Sequence, residues 1–315
     1  MEKKIYRIRP VFEERMWGGQ HLIEKYGYET ELKNIAESYC CIAIPGHLDC
    51  DVIDTKDKLS DFYHDNPQLF GSETKDIPIR LTVESVLDNM SVQIHPQDEY
   101  ALARYGQYGK PGGILYLEGE PVDLLLGHHA KTKDEFVRLN EERQFDKLFR
   151  FVDYVPGDFV HIPANTLHSF RIRGIMIAFA RNSDVTLRLY DYDRLDPKTG
   201  APRKMHVQEV YENITIPDHE VHTTRGEIVK SEHLVHTVYH DVPGEYTAGR
   251  VELTEKASFA MDEFYFMFCV NGGGTAEGLA FNKGDVLFVP QGYGEVRFAG
   301  TMDFVYCSYK NRGQG

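Results

Sequence analysis

The sequence predicts a mostly β protein built from two repeated barrel-scale units, with a small helical insertion in the first. Three observations carry this. Short apolar alternations broken by Gly, Pro and Asp recur from Ile77 to the end of the chain, the pattern of short strands. The spacing Gly-x5-Pro occurs twice, at Gly157 to Pro163 and again at Gly284 to Pro290, and this is a repeat on the scale of a whole barrel. Between the first strands and the first repeat, apolar residues fall at helical spacing instead.

Taken in order, the first helical stretch is Gln97 to Tyr105, where Pro96 followed by Asp98 and Glu99 suits a first turn. The second runs from Lys131 to Val155, with Phe136, Leu139, Phe145, Leu148 and Phe149 as its stripe and a split around Gln144. That stripe reads as core packing. From about Val229 the strand pattern restarts, so the expected division is residues 1–228 for a first unit with the helical insertion and 229–315 for a second. In the second unit Glu295 stands where the first has His168, and no His-x-His or Gln-x-His strand precedes it, so a metal is expected in the first unit only.

The composition excludes several function classes. With 42% hydrophobic and 27% charged residues over 315 positions, the chain reads as globular rather than disordered. A formal charge of -14 argues against nucleic acid and anionic membrane as partners, since those surfaces need basic patches. The N-terminus leads into a strand-like run rather than an apolar signal core, and no window is long enough for a spanning helix, so a cytoplasmic location is expected. Cys40, Cys41, Cys50, Cys269 and Cys307 are odd in number and lack Cys-x-x-Cys spacing, so they are expected to be buried thiols.

The chemistry concentrates in two segments. In Ser91 to Pro96, Gln93 and His95 alternate on a strand, so both leave the same face about 7 Å apart, close enough to share one cation. In Pro156 to His168, Gly157 turns the chain, Pro163 closes a short strand and a loop presents His168. This second segment resembles the cupin barrel spacing Gly-x5-Pro-x-Gly-x2-His, with Asn165 in place of the second glycine. Asn tolerates left-handed backbone angles, so the exchange is mild.

Together these segments resemble the mannose-6-phosphate isomerases, in the short bacterial form built from two cupin (jelly-roll) barrels. The resemblance covers nearly the whole chain. It begins at Pro10 to Gly19, continues with Ala36-Glu37-Ser38-Tyr39 and the Gln93 to Tyr100 run, and extends through Asn182-Ser183-Asp184, Arg188 to Arg194 and Pro202 to His206. It implies that Gln93, His95 and His168 hold a divalent ion, most naturally zinc, and that the substrate is a small sugar phosphate. It also implies a charge-stabilising role for Arg188, a proton-transfer or phosphate-side role for Lys110, and an orienting role for Asp184 toward Arg188. The chain is expected to be a monomer or homodimer.

Three departures from the family pattern bear on activity. Gly112 stands where the family has a carboxylate ligand, Ala178 where it has a second acid, and Thr82 where it has a lysine. His161 and Glu99 are candidates to fill the missing ligand position; neither residue of the His128-His129 pair is expected to bind metal. Two readings therefore stand: an aldose-ketose isomerase, or a sugar- or sugar-phosphate-binding cupin that has lost catalysis. The discriminating feature is whether another acid fills the space left by Gly112.

Overall fold

The computed structural model describes residues 3–171 and 173–313, and these fold as a mostly β protein. Apolar alternation becomes strand as expected, and the strands assemble into three antiparallel sheets. A six-stranded sheet runs in the order Phe159–Ile162, Gly112–Gly119, Gly174–Arg181, Ile79–Val86, Glu37–Cys41 and Val11–Glu13. A five-stranded sheet runs Phe149–Tyr154, Val122–His128, His168–Ser169, Val92–Ile94 and Leu187–Tyr190. An apolar cluster including Val86, Tyr116, Leu124, Leu126 and Tyr154 joins strands of these two sheets.

The third sheet has eleven strands and is drawn from both ends of the chain. Tyr6–Arg9 pairs antiparallel with Val286–Val289, and Asp51–Val52 pairs on its other side. The largest apolar cluster follows this pairing: Phe70 stacks on Phe288 with ring centroids 4.6 Å apart and meets Phe264 at 5.2 Å. Residues before and after position 229 thus share one core, and Leu81, Val83 and Phe179 of the six-stranded sheet belong to it.

The helix Asp98–Tyr105 forms where its first-turn acids predict it, with Gly106 as a left-handed C-cap. Lys133–Glu141 is also helical. Thr132 caps it by accepting from the Glu135 backbone N–H, and Glu135 reaches back to Lys131 N, a reciprocal cap. The expected continuation to Val155 is corrected. After the short turn Phe145–Leu148, residues 149–154 are a strand paired with Val122–His128. Phe149-Arg150-Phe151 alternates with period two, and long-range pairing overrides the helical stripe. The helices His21–Tyr26, Leu59–Asp65 and Val207–Asn213 had no strong signal, being only six or seven residues long. All five cysteines are buried thiols.

A fragment ending at residue 228 would lose Phe264, Phe266 and Phe288 from the shared core and leave Tyr6–Arg9 paired only with the two-residue strand Asp51–Val52. We expect it to be insoluble or to unfold without a cooperative transition; a soluble fragment with a sharp melting curve would contradict the shared core.

Candidate functional site

A cavity of about 300 Å³ lies between the five- and six-stranded sheets. Gln93, His95, Lys110, His168, Asp184 and Arg188 all line it, as do Gly112 and Ala178. Cross-strand register explains the grouping. Gln93 is directly opposite His168 on one side and Arg188 on the other, so three neighbouring strands place these side chains in a row. Asn165 adopts the expected left-handed conformation, with φ of 64°, and its N–H donates to the His95 carbonyl at 2.7 Å. This ties the loop before His168 to the strand end that carries His95.

Both histidines are buried and oriented by the backbone. His95 Nδ1 lies 2.9 Å from Val185 O, and His168 Nδ1 lies 3.0 Å from Thr166 O. A carbonyl oxygen can only accept, so each Nδ1 carries the hydrogen and each neutral ring keeps a bare Nε2. Burial, reinforced by the Lys110 charge, pushes His95 well below the usual imidazole range, and the same causes bring His168 down to about 4. The rings are therefore neutral at pH 7. Their centroids are 5.1 Å apart with planes 47° from parallel. Two imidazoles bound through Nε2 at about 2.1 Å to one ion place their centroids about 5 Å apart at a near-tetrahedral angle, so this pair fits a shared cation. Gln93 Oε1 accepts one hydrogen bond from Ser91 Oγ, and its second lone pair is available to the same ion.

The charged lining is richer than the sequence suggested. Arg80, on the Ile79–Val86 strand, is buried; its Nη1 donates to Ser183 O at 2.8 Å and Asp184 Oδ1 at 2.9 Å, and its guanidinium lies over the Tyr39 ring. Asp184 thus holds Arg80 and makes no bond to Arg188, contrary to the orienting role expected of it. The Arg188 Nε is buried without a hydrogen-bond partner, and burial together with nearby Arg203 lowers its proton affinity. Arg203 itself is clamped by Asp191 through two hydrogen bonds, at 2.7 and 2.6 Å. Lys110 has no hydrogen bond or ion pair among the described residues; burial and then the Arg80 charge push it below the usual lysine range.

Glu13, Arg15, Glu37 and Glu84 also line the cavity and were not singled out from the sequence. Arg15 bridges Glu13 and Glu37, and Tyr39 donates to both carboxylates. Glu84 is directly opposite Glu37 across the strand pair, and burial followed by this like charge pushes it above the usual carboxylate range. The signal was the alternation Arg80, Thr82, Glu84 within an otherwise apolar run, which normally denotes a solvent-facing strand side.

The rescue candidates lie elsewhere. Glu99 is exposed on its helix; His128, which was not expected to bind metal, contacts Thr215 O at 2.9 Å. His161 joins a second cluster with His240 and Glu245 that could hold a cation by composition. There the imidazoles are stacked 4.1 Å apart and 12° from parallel. Parallel rings cannot both aim an in-plane lone pair at one ion, so this arrangement suits a shared carboxylate contact instead: His240 Nε2 is 3.0 Å and His161 Nε2 3.7 Å from Glu245 Oε2. No described helix is long and apolar enough to cross a membrane.

No protein-family profile matches the chain. A probable mannose-6-phosphate isomerase of Bacillus subtilis, GmuF, is 30% identical over 310 residues, covering 95% of this chain and 97% of that protein. The mannose-6-phosphate isomerase of Streptococcus mutans is 26% identical over 96% of this chain and 98% of its own length. Among solved structures, a mannose 6-phosphate isomerase from Bacillus subtilis superposes with a TM-score of 0.90 at 25% identity, over 97% of this chain and 99% of that one. A mannose 6-phosphate isomerase bound with zinc and yttrium shares the fold, with a TM-score of 0.79 at 16% identity over 97% of this chain and 99% of that one.

The second histidine cluster yields a pH test. Burial, then the His240 charge, lowers His161 to about 4 against an ordinary value near 6.5. As pH falls from 6.5 toward about 4, the unfolded chain takes up a proton that the folded protein refuses, so His161 removes stability in that window and leaves it intact above. Urea denaturation of His161→Gln at pH 5 and pH 7 should show a smaller acid loss than the unmodified protein; an equal loss would contradict the assignment.

Proposed function

The chain belongs to the mannose-6-phosphate isomerase family, and from that premise we propose that it interconverts mannose 6-phosphate and fructose 6-phosphate, or a closely related aldose-ketose pair, with one divalent ion. The observation that carries this is the pair of neutral, backbone-oriented imidazoles, His95 and His168, beside Gln93 in a cavity that also presents Lys110 and Arg188 without bound partners. Zinc held by Gln93, His95 and His168 would polarise the sugar carbonyl and balance the charge that develops on its oxygens. Arg188, an enclosed guanidinium, suits an anionic group or that developing charge. Lys110 suits proton transfer or contact with phosphate. Asp184 acts one step removed, by fixing Arg80.

The same reading assigns two cupin barrels. The five- and six-stranded sheets form the first, around the cavity, and the eleven-stranded sheet forms the second; the units 1–228 and 229–315 follow this division except that Tyr6–Arg9, Asp51–Val52 and Asp57–Lys58 of the first unit pair into the eleven-stranded sheet. A cytoplasmic enzyme, monomeric or homodimeric, that acts on a small sugar phosphate and not on nucleic acid or membrane agrees with the acidic composition. Loss of catalysis with retained sugar binding is the weaker reading, because Glu84 keeps an acid on the cavity wall.

Metal analysis of purified protein paired with an assay coupled to fructose 6-phosphate tests the proposal. Stoichiometric zinc with turnover is expected, and His168→Ala should lose the metal and at least about 100-fold in rate. Zinc bound with no turnover of any sugar phosphate would sink the isomerase reading.

Position 112 gives a further test. Gly112 lies outside the left-handed region, so its backbone accepts other residues. A Cβ there meets Ala180 Cβ and Phe179 O at 3.2 Å, which requires a shift of a few tenths of an ångström. Gly112→Glu should cost the metal-free protein about 1 kcal/mol through crowding, yet melt higher than the unmodified protein once zinc is added, because a carboxylate neutralises part of the ion's charge. The unmodified protein should also yield its zinc to a mild chelator more readily than relatives with the carboxylate. No zinc-dependent gain in Gly112→Glu would show that position 112 does not reach the ion.

A further inference from the structure

We propose that Glu84 is the carboxylate that carries the proton between C2 and C1 of the sugar, acting from the cavity wall beside position 178, where an acid is missing. This rests on the isomerase reading above. The strand Ile79–Val86 alternates: Ile79, Leu81 and Val83 enter the apolar core, so Arg80, Thr82 and Glu84 share the opposite side, and Arg80 and Glu84 reach the cavity. Four acids line that cavity, and three are committed. Glu13 and Glu37 are bonded to Arg15 and Tyr39, and Asp184 to Arg80. Glu84 is buried, and among the described residues no hydrogen bond or ion pair engages its carboxyl group. A buried acid without a partner is costly to the fold, and such groups concentrate where they act on a ligand.

Register places Glu84 diagonal to position 178, one of the two places where an acid is missing. Thr82 is directly opposite Ala178, and Glu84 lies two residues on along the same face. Diagonal neighbours across antiparallel strands are about 7 Å apart, a gap that a glutamate side chain can span. Lys110 enters the same cavity, also without a bonded partner, and its charge favours the ionised form of Glu84. Burial and Glu37 act the other way and raise the carboxyl group's proton affinity, which strengthens it as a base.

The proton balance closes with these two groups. Glu84 removes the C2 proton while the Lys110 ammonium donates one to the C1 oxygen, so the C2–H bond breaks and the C1–C2 enediol forms. Glu84 then returns its proton to C1 as the Lys110 amine takes the proton from the C2 hydroxyl, leaving the ketose with both side chains restored. No oxidant, reductant or co-reactant is required.

The test uses zinc-loaded full-length protein and mannose 6-phosphate, and compares unmodified protein with Glu84→Gln and Lys110→Met. Metal content and melting temperature check folding; the glutamine variant replaces the carboxyl group at equal size and should fold. Glu84→Gln should lower kcat by about 100-fold or more, within the range of acid-base contributions, while KM changes only a few-fold. Solvent deuterium entry at C1 of product should fall in step. In metal-free protein, an infrared carboxylic-acid band that titrates above the usual carboxylate range should be present before the change and absent after it. Unaltered kcat and deuterium entry in Glu84→Gln, with activity lost in Lys110→Met, would overturn the proposal and give the base to Lys110. An inactive unmodified protein with full metal would overturn the isomerase reading itself, and the Glu84 role with it.

Discussion

The site depends on one enclosed guanidinium. Arg80 lies on the cavity side of one of the two central strands of the six-stranded sheet, and two separate parts of the fold meet it: the Ser183-Asp184 turn and the Tyr39 ring. A buried guanidinium is tolerable only when its donors are met, and removing one partner from such a pair commonly costs about 3 to 5 kcal/mol. The Arg80 Nε nevertheless has no partner. The contact with Asp184 therefore fixes the turn that follows Arg181, and the same turn supplies Val185 O, the acceptor for His95 Nδ1. A salt bridge on one sheet thus sets the tautomer of a histidine on the other.

This linkage explains why Asp184 does not need to touch Arg188 to matter. Its position is dictated by Arg80, while Arg188 is placed by strand register with Gln93 and by the backbone contact with His206. The cavity consequently holds two kinds of cation. Arg15, Arg80 and Arg203 are neutralised by acids; Lys110 and Arg188 are not. Free positive charge next to two neutral imidazoles suits an anionic ligand together with a metal. It would suit a neutral apolar ligand poorly, because the unpartnered cations would lose hydration without gaining a counter-charge.

The grouping of Gln93, His95 and His168 was legible in the sequence because its logic is local. Gln93 and His95 are two residues apart on one strand, and the Pro163 to His168 loop is a short turn whose Asn165 takes the backbone angle a glycine would. The charged half was not legible. Arg80 and Glu84 alternate with apolar residues, and from sequence that pattern is indistinguishable from a strand with one wet face; only the second sheet lying over it turns the wet face into a cavity wall. The same limit applies to Tyr6–Arg9, whose partner is some 280 residues away, and to residues 149–154, whose strand identity comes from Val122–His128. His161, a candidate for the missing ligand position, instead sets its Nδ1 2.7 Å from the Tyr246 hydroxyl.

The departures at positions 82, 112 and 178 are best understood together. They cluster on adjoining strands of one sheet: Thr82 opposite Ala178, and Gly112 opposite Ala180. Losing two acids and a lysine from one wall removes opposite charges side by side, so the net change is one charge rather than the two that the lost acids alone would give. Thr82 sits between Arg80 and Glu84 on the same strand face, so a cation and an acid still flank the position from which the lysine is missing. A wall that has lost its carboxylates but kept Lys110 and Arg188 would carry uncompensated positive charge beside a divalent ion, and that ion would then bind poorly. Glu84 adds an acid to this wall without entering the row of Gln93, His95 and His168. The acid on the wall therefore stands apart from the row of Gln93, His95 and His168 while sharing one cavity with it.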